Sequence, residues 1–151
     1  MRKLLLILMV VLLAACGHNN KNNMIDFTYA GNIPIIGDTI NNEAVHFIID
    51  TGAGMSIINS EYYQEHKRDL IRLSDIEMQL VGINGATPLQ TAASVGINTS
   101  IGYCRFYESD LSAVVSKMND RGYNVIGVIG SDFWKQGYVI NYKTRQVTKC
   151  N

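Results

Sequence analysis

An excess of charge of either sign is missing from this 151-residue chain, in which 13 Lys and Arg meet 13 Asp and Glu. Setting Arg2 and Lys3 aside leaves 11 basic residues against 13 acidic, with no clustered cationic face, so no nucleic-acid partner is expected. Histidine is scarce. His18, His46 and His66 stand far apart, and none lies at metal-ligand spacing from a cysteine, so no metal site and no cofactor are expected. No internal repeat is present, and the length has room for one domain. The glycine-rich segment Gly52–Ile57 is not a dinucleotide fingerprint, because Ile57 takes the place of the third glycine and no βαβ unit surrounds it. Ser56 and Ser131 have no neighbouring histidine, which leaves a serine triad without support.

Leu4 to Leu13 is an apolar run of ten residues, too short for a stable membrane-spanning helix. Met1-Arg2-Lys3 before it and Ala14-Ala15 after it give the pattern of a secretory signal over residues 1–15. The ending Leu-Leu-Ala-Ala-Cys resembles the bacterial lipobox. That resemblance implies that Cys16 is diacylated (the palmitate-bearing type of anchor) and becomes the mature N-terminus. The protein would then sit in the bacterial cell envelope, held to a membrane and facing the periplasm. Residues 16–23 read as the lipidated cysteine and a polar tether, and the folded domain is expected over residues 24–151. Two further cysteines, Cys104 and Cys150, are open to three readings in an oxidising compartment: an intrachain bridge, two buried thiols, or an intermolecular bridge.

The domain reads as mostly β. Short β-branched and aromatic runs stand at residues 25–31, 33–40 and 43–50, the first two broken by Gly31-Asn32 and Gly37-Asp38. The density of apolar residues in Glu43–Asp50 predicts a strand covered on both faces. Residues 59–71 carry a helix signal, with Asn59 or Ser60 as cap, Glu61 in the first turn and basic residues near the end. Residues 75–98 predict a long hairpin with Asn84-Gly85 at its tip. Strands are expected at 103–111, at 112–117 and at 125–130, one or two helical turns at 131–137, and a closing hairpin at 138–150 turning around Lys143 to Arg145. Tyr62, Tyr63, Tyr103, Tyr107 and Trp134 are expected to serve packing. Many short strands with one or two short helices suit an all-β fold, a small closed barrel.

Against that background Asp50-Thr51-Gly52 stands out, since a carboxylate follows a buried strand on a glycine-rich turn. A rigid carboxylate on a loop suits acid–base chemistry, yet an ordinary Asx turn explains the tripeptide equally well. The wider context is more specific. Phe47 to Ile58, then Val125 to Trp134 about seventy-five residues on, resemble the retropepsin-like aspartic proteases, the family of retroviral proteases and their bacterial relatives. There an apolar strand runs into Asp-Thr/Ser-Gly-Ala, and a later apolar-apolar-Gly strand packs under the active-site loop before a short helix.

The resemblance implies a retropepsin-like (acid protease) barrel, with Asp50, Thr51 and Gly52 catalytic. Ala53, Ile83, Asn84, Gly85 and Ala86 would contact substrate, the last four from a flap, and Val128, Ile129 and Gly130 would support the loop. Gly54 departs from the Ser, Thr or Asp of many relatives, and Asn141 from a frequent Asp. Carboxylate-only peptide hydrolysis needs two carboxylates sharing a proton. This chain holds one Asp-Thr-Gly, so the resemblance implies a homodimer that joins two copies of Asp50 on a peptide or protein substrate. The alternative is an inactive peptide-binding or scaffold lipoprotein of the same fold.

Overall fold

A computed structural model describes residues 24–82 and 85–150. The signal segment, Cys16 and its tether lie outside the described residues, as do Ile83 and Asn84 at the hairpin tip. The first strands follow the β-branched runs: β1 (Met24–Asp26), β2 (Thr28–Ala30), β3 (Ile33–Ile40), β4 (Glu43–Ile49) and β5 (Ile57–Asn59). Then come α1 (Ser60–His66) and the long hairpin. Its arms are β6 (Ile71–Met78) and β9 (Gln90–Thr99), and its far end carries β7 (Val81–Gly82) and β8 (Gly85–Ala86). The chain continues through β10 (Gly102–Ser109), α2 (Ser112–Asn119), β11 (Val125–Ile129) and α3 (Ser131–Trp134), closing with β12 (Tyr138–Asn141) and β13 (Gln146–Lys149).

Eight strands form one mixed sheet in the order β2-β3-β4-β11-β5-β10-β9-β6, and β1-β13-β12 form a second. The large sheet curls until Asp38 Oδ2, on β3, accepts the Ser100 N–H just after β9 at 2.7 Å. Among the described residues its two edge strands, β2 and β6, are not paired with each other.

Alternation along β4 explains its apolar run. Val45, Phe47 and Ile49 enter the main core, where Phe47 stacks on Phe106 at 5.1 Å, while Ile48 faces a second cluster with Ile35, Val115 and Met118. Both faces are therefore covered, as the sequence predicts. Complete burial of a phenylalanine contributes on the order of 2–3 kcal/mol.

The described residues hold three helices rather than one or two, because residues 112–119 are a helix and not the expected strand. Asp110 Oδ1 accepts the Ser112 N–H at 2.8 Å, and Leu111 O accepts the amides of Val114 and Val115, which starts the first turn. Val115 and Met118, three residues apart, are then buried together, a match that the β-branched Val-Val pair conceals. Cys104 and Cys150 are free thiols, with no bridge between them. Cys104 points into the core on the same face of β10 as Phe106, whereas Cys150 follows β13 at the surface, where its N–H donates to Gly137 O at 2.7 Å.

Candidate active site

Chain order and sheet order conflict at one place, and the site lies there. β4 and β5 are consecutive in sequence, yet β11 lies between them, parallel to β4 and antiparallel to β5. Residues 50–56 must therefore cross over the end of β11. Asp50 opens this crossing and donates its N–H to Ile129 O at 3.1 Å. Midway, Ala53 O accepts the Ser131 N–H at 2.8 Å. At the far end the buried Ser56 hydroxyl accepts the Gly130 N–H at 3.0 Å and donates to Asp132 Oδ1 at 2.8 Å.

The Asp50 carboxylate is fixed within its own turn. Oδ1 accepts the amides of Gly52 at 2.9 Å and Ala53 at 3.1 Å, while Oδ2 has no partner among the described residues. Two amide donors hold the group in one orientation. Thr51 is exposed, and no hydrogen bond of its hydroxyl occurs among the described residues. Gly52 is required by close approach, since a Cβ there would meet Asp50 Oδ1 at 3.2 Å. Gly130 is required more strongly, because its Cβ would lie 2.5 Å from Met55 O. Left-handed backbone, the conformation that glycines at 52 and 54 suggest, occurs at neither, and nothing lies within 4 Å of a Cβ at Gly54.

Asp50 lies in a cleft of about 730 Å³. Of the sequence-selected residues, Ala53, Gly85, Ala86 and Val128 join it there, whereas Ile129 and Gly130 are buried beneath the loop. Ile129 O accepts both the Asp50 amide and the Trp134 indole N–H, the latter at 2.8 Å, so support from below is its role. Beyond the long arms of the hairpin, Gly82 pairs with Gly85 and Val81 with Ala86. Thr87 braces the base of this overhang: its amide donates to Leu80 O at 2.8 Å, and its hydroxyl accepts the Leu80 N–H at 3.0 Å.

Ile33, Leu111 and Val114, wall residues remote in sequence from the Asp50 turn and the hairpin, escape sequence reading. They come from β3 and the α2 region, and an aliphatic residue in a buried-looking run gives no sign that it borders a cleft. Among the described residues, Asp50 is the one ionisable side chain in the lining.

Residues 37–136 match the family described as "gag-polyprotein putative aspartyl protease". The chain belongs to that family. The match takes in the Asp50 turn, the overhanging hairpin, β11 and α3. Two solved structures are similar to the chain. One is a retropepsin-like aspartic protease from Rickettsia conorii, with 19% identity and a TM-score of 0.43, covering 82% of this chain and 94% of that one. The other is the retroviral protease-like domain of Ddi1 from Leishmania major, with 18% identity and a TM-score of 0.40, covering 78% and 92%. No curated protein sequence matches the chain.

Proposed function

We propose that the protein is an aspartic endopeptidase, active as a homodimer whose two Asp50 carboxylates form the catalytic dyad. The observation that carries this reading is a single carboxylate, fixed by two amides and alone of its charge type in an otherwise apolar cleft. With Oδ1 engaged in the turn, Oδ2 is free to meet its counterpart from a second copy. Two carboxylates a few Å apart share one proton, so one is ionised and the other protonated. The ionised member takes a proton from water as the oxygen attacks the scissile carbonyl carbon, and the protonated member donates to the carbonyl oxygen. The carboxyl that took the water proton then gives it to the departing nitrogen as the C–N bond breaks. The other carboxylate takes a hydroxyl proton from the gem-diol, which restores the shared-proton pair.

Peptide lies extended between the Asp50 loops and the two overhanging hairpins, with backbone of Gly52 and Ala53 below and Ile83 to Ala86 above. Cys16 carries the lipid anchor, which holds the enzyme at the cell envelope facing the periplasm. Asp50→Asn tests the chemistry. The variant keeps the wild-type circular dichroism spectrum and melting temperature and loses cleavage of a mixed peptide library; full activity in it contradicts the mechanism. A wild-type protein that binds library peptides without cutting them is instead a peptide-binding lipoprotein of this fold.

A further inference from the structure

The crossing loop is held over β11 and α3 at three points, and only one of them is made by side chains. Asp50 N–H to Ile129 O and Ser131 N–H to Ala53 O are backbone contacts that nearly any residue preserves. The third is a relay, from the Gly130 N–H to Ser56 Oγ and from the Ser56 hydroxyl to Asp132 Oδ1. Ser56 is completely buried, and a third group, the Cys104 thiol, approaches its oxygen at 3.6 Å. A hydroxyl has one donor and two acceptor sites, so this geometry uses all of them and leaves Ser56 a single orientation. Asp132 Oδ1 also accepts the Phe133 amide at 2.9 Å, which fixes it on α3.

We infer that Asp132, acting through Ser56, is a positioning residue for Asp50. This rests on the peptidase reading for its kinetic consequence, but not for its geometry. Asp132 does not line the cleft and touches no substrate; it sets the far end of the loop whose near end is the catalytic carboxylate. Displacing a reacting group by about 1 Å can cost as much as a hundredfold in rate, and loss of one of three anchors is a smaller disturbance. The relay needs an acceptor at Asp132 Oδ1 and no charge, so asparagine serves in its place.

The test uses the full-length chain, a library of internally quenched peptides, and the variants Asp132→Ala, Asp132→Asn, Ser56→Ala and the Ser56→Ala/Asp132→Ala double. In Asp132→Ala kcat is expected to drop roughly tenfold with KM within about twofold and an unchanged pH–rate profile, since no proton passes through Asp132. Asp132→Asn recovers most of that loss. The double variant is no slower than Ser56→Ala, because both substitutions break one relay.

Amide hydrogen exchange supplies a second readout that needs no substrate. The Gly52 and Ala53 amides exchange faster in Asp132→Ala and recover in Asp132→Asn, while those of Phe47 and Val95 keep their rates. Equal impairment of the Asn and Ala variants overturns the proposal, as does faster exchange spread over the whole core or wild-type behaviour of Asp132→Ala in both readouts. Should the wild-type protein cleave no peptide, the peptidase reading falls and the exchange result alone decides the positioning role.

Discussion

Burial makes two side chains sensitive to alkali. Loss of hydration pushes the Cys104 thiol from 9.0 up to about 12, helped by the nearby Asp132 charge and opposed by its hydrogen bond to Ser56. Tyr62 rises from 10.0 to about 12, again chiefly through burial, with Glu43 and Asp69 adding repulsion. In both cases the folded state holds its proton more tightly than the unfolded chain. The stability these groups contribute is thus complete below about pH 9 and is lost as pH climbs toward about 12. Each group steepens the decline by up to about 1.4 kcal/mol per pH unit within its window. Urea unfolding at successive pH values is expected to show the fall beginning near pH 9. Cys104→Ala, despite a lower overall stability, should begin its fall near pH 10, where Tyr62 starts to act.

Among the elements, β11 and the loop above it show how tight contact selects a residue. Gly130→Ala places a methyl 2.5 Å from Met55 O, and the backbone must yield. A loss of about 1–3 kcal/mol in chemical unfolding is the expected result. Gly54→Ala, four residues past Asp50 in the same loop, meets nothing and should change stability by no more than about 0.5 kcal/mol. From sequence Gly54 reads as a turn glycine and Gly130 as the end of a strand, and neither shows how closely it is packed. Which one is confined depends on what lies across from it, and that is a non-local fact. The same limit applies to α2. Its Val114-Val115 pair has strand propensity, and the burial of Val115 and Met118 against β4 decided for helix. Where local and tertiary preferences agree, as in β3, β4 and the closing hairpin, the strands are legible without coordinates. The Ser56–Asp132 relay was not, since it joins side chains 76 residues apart.

For the whole molecule the proposed peptidase turns on the number of Asp-Thr-Gly carboxylates per chain. With one per chain, activity per chain is expected to fall on dilution and to track the dimer fraction from analytical ultracentrifugation; a monomer with full specific activity contradicts the two-copy dyad. That count is fixed by the sequence, because it needs only one Asp-Thr-Gly in 151 residues. Sequence also determined the mostly-β character and the candidate carboxylate, since hydrophobic period and turn chemistry are local properties. The tertiary structure decided the rest. Insertion of β11 between β4 and β5 turned an ordinary strand ending into a loop pinned at three points. Curling of the sheet placed that loop's carboxylate in an apolar cleft. Neither can be read along the chain, because both depend on which distant strands pair.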